Sequence, residues 1–138
     1  MTTAREIMTA DPTCARTSDT ILDAARSMAD RGIGALPVCG EDDKLKGMIT
    51  DRDIVVKVIA AGKDPRSLHA GELAQGEVIT VDAGDDVASV LGVMERHQVR
   101  RLPVLDGTNL IGMVAQADVA RALDQPKVGE LLQALSIP

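Results

Sequence analysis

The sequence contains no phenylalanine, tyrosine or tryptophan. Proteins that hold single-stranded nucleic acid stack the bases on such side chains, and nucleic-acid binders generally carry a basic patch or stripe. The net charge here is −6, and acidic and basic residues are interspersed along the chain and do not form long blocks. We therefore expect no nucleic-acid partner, and a core built from aliphatic side chains alone.

Cysteine and histidine are scarce, with two residues of each. Cys14 and Cys39 form no C-x-x-C pair, and His69 and His97 lie far apart and near neither cysteine. A structural zinc ion takes four ligands, and within one chain the fourth would have no clear origin. The sequence predicts no metal site, although an ion shared between subunits stays open. His97, at a predicted helix end, fits capping better than ligation.

Long apolar runs are also missing. The most apolar stretch, residues 55–61, is interrupted by Lys57 and followed by Gly62, whereas a membrane-spanning helix needs about 20 apolar residues. The first residues lack the basic and then apolar order of a secretory signal. We expect no membrane association and a cytoplasmic location, with secretion without a signal peptide left open.

What the sequence does contain is an internal duplication, the first feature to seek in any chain. At one constant offset, Asp19 falls on Asp85 and Met28 on Met94. The same offset places the Leu-Pro-Val of residues 36–38 on residues 102–104, and after a one-residue gap Gly47 and Asp53 meet Gly112 and Asp118. Chance similarity rarely keeps both the residues and their spacing over such a length, so the sequence predicts two copies of one unit.

In each copy, the pattern of apolar and turn-forming residues predicts the order strand, helix, strand, strand, helix. The predicted strands are residues 14–16, 35–38 and 46–50, then 78–81, 102–105 and 110–115. Apolar residues recur on one face of the first helices, namely Ile21, Ala24, Ala25 and Met28, then Val87, Val90, Leu91 and Met94. The final helices carry Ile54, Val55, Val58 and Ile59, then Val119, Ala122 and Leu123.

The predicted fold class is α/β (α+β), with two tandem βαββα repeats packed as a pseudo-symmetric pair. One such unit alone would bury little apolar surface. The predicted boundaries are residues 1–64 for the first repeat, 65–126 for the second and 127–138 for a C-terminal tail. In the tail, an amphipathic turn is expected to cover apolar surface through Val128, Leu131, Leu132 and Leu135.

The order of these motifs resembles the cystathionine-β-synthase (CBS) domain. The resemblance rests on residues 20–28, on Ile33-Gly34-Ala35-Leu36-Pro37-Val38 and on Gly47-Met48-Ile49-Thr50-Asp51-Arg52-Asp53-Ile54. The duplicated arrangement resembles the tandem CBS pair called a Bateman module, and the resemblance covers nearly the whole chain.

The resemblance implies a ligand cleft that takes AMP, ADP, ATP or S-adenosylmethionine. The pattern Gly-x-x-Thr-x-x-Asp, here residues 47–53, would lie on the nucleotide. A carboxylate such as Asp53 can accept hydrogen bonds from both ribose hydroxyls, and the Thr50 hydroxyl with the helix N-terminus can face phosphate. The implied ligand-binding residues of this copy are Thr50, Asp51, Arg52, Asp53 and, around the adenine, Leu36, Pro37 and Val38.

The second copy departs from this pattern. Ala115 replaces the threonine and Ala117 stands where Arg52 does, while Asp118 is retained. Arg100 and Arg101 add positive charge nearby. The first cleft is thus the better candidate, with Asp118, Arg100 and Arg101 as candidates in the second. Alternatively, Asp53 and Asp118 serve only as helix N-caps.

The resemblance also makes the strands of Cys14 and Cys39 neighbours. A disulfide is then possible if their Cα atoms lie within about 7 Å of each other. The alternative is two buried thiols that act as small hydrophobic groups, which are the commoner case in a reducing cytosol.

The resemblance implies a regulatory protein. The residues themselves point away from an enzyme, because no nucleophile, base and oxyanion arrangement accompanies Asp51 and Asp53. We expect a homodimeric pair that senses a small ligand and passes the change to an effector protein of unknown identity. The alternative is a ligand-free structural or interaction protein of a hypoxia-type stress response, braced by a disulfide.

Overall fold

The computed structural model of the chain describes residues 2–74, 78–123, 129 and 132–135. The chain divides into two compact units, unit 1 (Met1–Pro12 and Ile79–Pro138) and unit 2 (Thr13–Val78). Each unit combines a small mixed β-sheet with helices. The predicted mixed fold of two repeats is confirmed.

The elements follow in chain order as α1 (Ala4–Ile7), β1 (Thr9–Ala10), β2 (Ala15–Arg16), α2 (Ile21–Arg31), β3 (Ala35–Cys39), β4 (Leu45–Thr50), α3 (Asp51–Ile54), a π-helical turn (Val55–Ile59), α4 (Ala70–Leu73), β5 (Val81–Asp82), α5 (Val87–His97), β6 (Arg101–Asp106), β7 (Asn109–Ala115) and α6 (Gln116–Ala122). In unit 2 the strand order is β2-β3-β4, and in unit 1 it is β1-β7-β6-β5. The first strand of each repeat pairs in parallel with the second, and the second pairs antiparallel with the third.

The duplication extends to backbone detail. The order β2-α2-β3-β4-α3 in unit 2 matches β5-α5-β6-β7-α6 in unit 1. The register shifts between Val38 and Cys39 in one sheet and between Val104 and Leu105 in the other. These positions correspond in the sequence alignment, so both copies bend their central hairpin at the same place.

The compact units do not follow the sequence repeats at their N-terminal segments. Helix α1 lies in unit 1, where the Ala4 N–H donates to the Asp85 carbonyl at 2.8 Å. Helix α4 lies in unit 2, where the Ala70 N–H donates to the Asp19 carbonyl at 2.7 Å. Each repeat therefore supplies the leading helix of the unit that holds the other repeat. The boundaries at residues 64 and 126 stay predictions about the sequence copies.

Each unit has its own aliphatic core. In unit 2 the largest fully buried side chains are Ile21, Leu36, Val38, Ile49 and Val58. In unit 1 the largest fully buried side chains are Val90, Met94, Leu102, Val104, Val114 and Val119. Helix α2 packs its apolar face against the core of unit 2. The helix is capped at both ends: the Thr20 side chain accepts the Asp23 N–H, and Gly32 ends the helix at a φ of 65°.

Two expectations about the last helices need qualification. Ile54 and Val58 are buried, but Val55 and Ile59 are exposed. In the tail, Leu135 is buried in the core of unit 1 while Leu132 is exposed, and the predictions for Val128 and Leu131 lie outside the described residues.

None of the helices within the described part of the chain is long and apolar enough to cross a membrane.

Candidate ligand site at the strand-to-helix junctions

The first junction joins β4 to α3 through Thr50. Thr50 has extended backbone angles and is the N-cap of α3, and its hydroxyl oxygen accepts the Asp53 N–H at 3.0 Å. Asp53 Oδ2 accepts the Thr50 N–H at 3.0 Å in return. This reciprocal pair is a capping box, which satisfies two backbone donors at the beginning of the helix. Asp53 therefore caps from the third helical position, and not from the N-cap position.

Asp51 and Arg52 flank that pair on the exposed side. The Asp51 N–H donates to the Gly34 carbonyl at 2.9 Å, and Asp51 Oδ1 accepts the Arg52 N–H at 2.8 Å. A Cβ at position 34 would lie 3.0 Å from Asp51 Oδ2. The glycine thus leaves room for the Asp51 carboxylate beside β3, and four residues predicted to bind ligand lie at one turn.

The three apolar residues predicted to line the adenine behave differently. Leu36 and Val38 have 1% and 0% of their surface exposed and belong to the core of unit 2. Pro37 is buried as well, but because side chains alternate along a strand, it projects to the opposite face of β3. Leu36 and Val38 therefore face the core, and Pro37, on the other face of the strand, is the member of this trio that our binding hypothesis places on the adenine side.

The second junction joins β7 to α6 through Ala115. The Ala115 N–H donates to Asp118 Oδ2 at 2.8 Å, but alanine offers no side-chain acceptor in return, so only half of the capping box forms. Asp118 also accepts a hydrogen bond from Arg121. Its side chain is 12% exposed, compared with 26% for Asp53. The second carboxylate is therefore less accessible, while both carboxylates have a cationic neighbour, Arg121 for Asp118 and Lys57 for Asp53.

The two junctions also differ in charge. The Gln116 N–H donates to the Arg100 carbonyl at 2.9 Å, the same contact that Asp51 makes with Gly34. Arg100 and Arg101 thus stand where the first copy has glycine and alanine. The Arg100 guanidinium donates to the Leu135 carbonyl at 3.1 Å, and Arg101 is exposed. Unlike the first junction, the second has arginines at both of these positions, just before the strand and at its first residue.

A disulfide joins Cys14 and Cys39, whose Cα atoms lie 5.9 Å apart. Cys14 immediately precedes β2, and Cys39 ends β3. Since β2 has only two residues and lies at the edge of its sheet, the covalent bond anchors a strand that few hydrogen bonds hold. Of the two alternatives derived from the sequence, the structure contains the bridge.

A shallow polar depression in unit 2 was not foreseen from the sequence. Its lining consists of Thr17, Gly40, Glu41, Asp42, Lys46, Gly71 and Ala74. The Lys44 N–H and the Lys46 ammonium donate to the Asp42 carboxylate, each at 3.0 Å, and hold the pKa of Asp42 below its ordinary value. A Cβ at Gly40 would lie 2.6 Å from Lys46 Cε. Such close approaches across a hairpin leave little trace in a single sequence.

Comparisons with known proteins identify the family to which the chain belongs. The chain belongs to the CBS domain family, whose sequence profile matches residues 4–60 and 70–125. It is a tandem CBS pair.

Among individual proteins, hypoxic response protein 1 of Mycobacterium tuberculosis is 49% identical over 138 residues, which is 100% of this chain and 96% of that protein. A crystal structure of hypoxic response protein I with two coordinated zinc ions has a TM-score of 0.82 and 53% identity, covering 89% of this chain and 100% of that one. A crystal structure of CBSX2 in complex with AMP has a TM-score of 0.77, covering 88% and 96% of the two chains. Its identity of 23% shows the fold alone.

The residues described here do not fit a zinc site within one chain. No group of three or more histidine, cysteine, aspartate or glutamate side chains converges among them. Both cysteines are in the disulfide, so neither offers the thiolate that zinc prefers. His69 is exposed, with its backbone N–H donating to the Glu72 carboxylate at 2.6 Å, and His97 ends α5.

Proposed function

We propose that this CBS pair is a ligand-sensing regulatory protein that binds an adenine nucleotide or S-adenosylmethionine at the first junction. The observation that supports it most directly is the position of the Thr50 hydroxyl and the Asp53 carboxylate together on one half-buried helical turn. The CBS family match covers both repeats. The proposal assigns ligand contacts to Thr50, Asp53, Arg52 and Asp51, with Pro37 on the adenine side.

Capping and ligand binding are compatible at this turn. A carboxylate has about four acceptor positions, and Asp53 uses its oxygens for the Thr50 N–H and for Lys57 Nζ at 3.4 Å. Two positions are left for ribose hydroxyls. Thr50 accepts a hydrogen bond through its oxygen, so its own O–H can still donate to a ligand oxygen. The capping box would hold both groups in place before the ligand arrives.

The second junction enters the proposal as a weaker site. Asp118 is shielded and paired with Arg121, and Ala115 offers no hydroxyl. Arg100 and Arg101 are its groups for an anionic ligand, with Arg100 also engaged by Leu135. We therefore expect one ligand to bind first, with the second position filling only at higher concentration.

The proposal also covers the setting of the protein. In this proposal the protein acts in the cytoplasm as a homodimer, catalyses no reaction, and passes the change caused by ligand binding to an effector protein. Cell fractionation and sedimentation of the purified protein test the location and the assembly separately.

Calorimetric titration with AMP, ADP, ATP and S-adenosylmethionine tests the ligand. The expected result is saturable heat with at least one of the four, at a stoichiometry near one per chain at the first transition. The absence of heat with all four at millimolar concentration would overturn the nucleotide proposal.

A second candidate function is a ligand-free interaction protein braced by its disulfide. The supporting observation is that the capping box accounts for Thr50 and Asp53 without any ligand, while the Cys14–Cys39 bridge secures the edge of the sheet. Thiol counting on freshly isolated, denatured and unreduced protein tests the bracing. No free thiol is expected, and two free thiols per chain would contradict it.

A further inference from the structure

The polar depression of unit 2 lies apart from the first junction. Lys46 borders it near the beginning of β4, whereas Thr50 ends that strand, so the two residues are about 13 Å apart along an extended chain. The other lining residues belong to the turn after β3, to the segment after β2 and to helix α4 with the residue that follows it. The volume of about 620 Å³ is in the range of small-molecule sites. The depression is thus a candidate site for a second kind of ligand.

The leading helices show what fills the same place in unit 1. Arg5 and Gly71 are the second residues of α1 and α4. The Arg5 N–H donates to the Ala83 carbonyl at 3.1 Å. In the same way, the Gly71 N–H donates to the Thr17 carbonyl at 3.0 Å. Because these contacts match, the Arg5 side chain marks a space that unit 2 leaves open beside Gly71.

In unit 1 that space holds an ion pair. The Arg5 guanidinium donates to the Asp106 carboxylate at 2.9 Å, and Asp106 is the last residue of β6. The position in unit 2 that corresponds to Asp106 is Gly40. Unit 2 therefore has glycine at both positions, and neither group of the pair comes from them. The carboxylates that line the depression follow Gly40 directly, as Glu41 and Asp42.

A third exchange leaves further room. Met8 directly follows α1 and Ala74 directly follows α4. A Cβ at Gly112 would overlap Met8 Sδ. In the same way, a Cβ at Gly47 would lie 2.8 Å from Ala74 Cβ. Each side chain thus covers the glycine of its own hairpin, but alanine fills less of the space than methionine. Unit 2 has glycine or alanine at three places where unit 1 has arginine, aspartate or methionine.

The charges of the depression indicate the class of ligand. Two carboxylates, Glu41 and Asp42, lie beside one ammonium group, that of Lys46. Lys46 Nζ donates to Asp42 Oδ2 at 3.0 Å, while Glu41 accepts a hydrogen bond from Ser18 at 3.2 Å. Each carboxylate offers about four acceptor positions, so both can still accept from a ligand. A molecule with two cationic groups and one carboxylate balances these charges. A guanidinium suits a carboxylate best, because it donates two parallel hydrogen bonds.

We propose that the polar depression binds a free amino acid with a cationic side chain, of the arginine type. Such a molecule carries together the guanidinium and the carboxylate that Arg5 and Asp106 bring to the same place in unit 1. Its cationic groups face Glu41 and Asp42, and its carboxylate faces Lys46. The site is additional to the nucleotide site of the proposed function, and separate titrations test the two.

Calorimetric titration with L-arginine, L-citrulline and agmatine tests both kinds of contact. Citrulline has nearly the shape of arginine but carries a neutral ureido group, and agmatine keeps the guanidinium but lacks the carboxylate. We expect saturable heat with L-arginine and none with citrulline. Agmatine should bind roughly tenfold more weakly than arginine, because the contact with Lys46 is lost. The absence of heat with L-arginine at millimolar concentration would overturn the proposal. Equal affinity for L-arginine and either of the other compounds would also contradict it.

Two single substitutions locate the site. Glu41→Gln keeps the size of the side chain but removes its charge, and we expect the affinity for L-arginine to fall at least tenfold. The matched control is Asp43→Asn, because Asp43 lies on the same turn but pairs with Arg16 at 2.6 Å instead of lining the depression. The control should bind L-arginine as the original protein does. Equal losses in the two variants would mean that an acidic turn merely attracts a cation, and would overturn the proposal.

A double substitution closes the site with residues that the protein already uses. Thr17→Ala combined with Gly71→Arg places in unit 2 the pair that unit 1 has as Ala83 and Arg5. We expect the variant to fold, as checked by circular dichroism, and to lose the binding of L-arginine. Retained binding would place the ligand elsewhere and overturn the proposal. Loss of affinity for L-arginine in Asp53→Asn would place it at the first junction and likewise contradict the proposal. Should the double variant fail to fold, the two single substitutions still decide.

Discussion

Thr50 and Ala115 occupy the same position in the two repeats and have nearly the same backbone angles, with φ of −111° and −100° and ψ of 161° and 162°. Only the threonine closes a complete capping box. We expect the difference of one hydroxyl to affect both stability and ligand binding, because the same oxygen that caps α3 belongs to the proposed ligand site.

Exchanging these residues should change stability in opposite directions. Thr50→Ala is expected to lower the free energy of unfolding by about 0.5–2 kcal/mol, the usual cost of losing a cap. Ala115→Thr should raise it by up to about 1 kcal/mol, since Asp118 already accepts the Ala115 N–H. Urea unfolding measures both. A loss of stability in Ala115→Thr would contradict the equivalence of the two junctions.

Asp42 gives a prediction about pH. Hydrogen bonds from the Lys44 N–H and from Lys46 lower the pKa of Asp42 in the folded protein. A carboxyl with a depressed folded pKa stabilises the fold above its unfolded pKa, and this contribution disappears as the pH falls through the folded pKa. Asp42→Asn should therefore be slightly less stable than the original protein at pH 7.

The difference should shrink as the pH is lowered from about 5 toward 2. Urea unfolding at a series of pH values measures it, with Asp30→Asn as a control at an exposed position on α2. A difference that grows on acidification would contradict the assigned hydrogen bonds.

At the scale of elements, strand β2 is held in place by contacts with its neighbours. It has two residues, pairs with β3 through Ala15 and Arg16, and is anchored by the adjoining disulfide. The Arg16 guanidinium adds contacts to the Gly40 carbonyl at 3.0 Å and to Asp43 at 2.6 Å. These polar contacts are exposed or partly exposed, so the covalent bond is the main restraint.

Reduction of the Cys14–Cys39 bond should destabilise unit 2. The cysteines are separated by 25 residues, and closing a loop of that size is worth about 3 kcal/mol in the chain-entropy account. Hydrogen exchange should accelerate first at residues 15–17 after addition of dithiothreitol. The Cys14→Ser, Cys39→Ser double variant should show the fast exchange with or without the reductant. Unchanged protection in the reduced protein would mean that hydrogen bonds alone hold β2.

The elements themselves were largely predictable from the sequence, because alternating and helical apolar patterns mark them in both copies. The pattern did not reveal which apolar residues are exposed to solvent. It predicted Val55 and Ile59 on the apolar face of the helix, but they are exposed on a π-helical turn. In the candidate site, the Thr50 and Asp53 positions followed from the motif. The enclosure of Leu36 and Val38 did not, because a run of apolar residues in a strand does not tell which face meets the core.

At the scale of the whole molecule, the sequence copies and the folded units differ by an exchange of leading helices. Ala4 is fully buried in the core of unit 1, and Ala70 is fully buried in the core of unit 2. A single sequence cannot reveal this exchange, since both segments are short and match each other at the repeat offset.

Overpacking these alanines tests the exchange. A larger side chain in a filled core costs about 1–3 kcal/mol. Ala4→Leu should therefore reduce hydrogen-exchange protection in α5 (Val87–His97), although residue 4 belongs to the first sequence repeat. Ala70→Leu should instead reduce protection in α2 (Ile21–Arg31). The reverse pattern, with each substitution loosening its own sequence repeat, would contradict the exchanged organisation.

The whole account predicts two similar scaffolds with unequal sites, and ligand binding by matched variants tests that inequality most directly. Asp53→Asn and Asp118→Asn each keep an oxygen that can accept the backbone N–H of the cap, so both should fold. Calorimetric titration with the nucleotide that binds the unmodified protein should show at least a tenfold loss of affinity in Asp53→Asn and the original first-site affinity in Asp118→Asn. Equal losses, or a loss confined to Asp118→Asn, would contradict the assignment of the first junction as the ligand site.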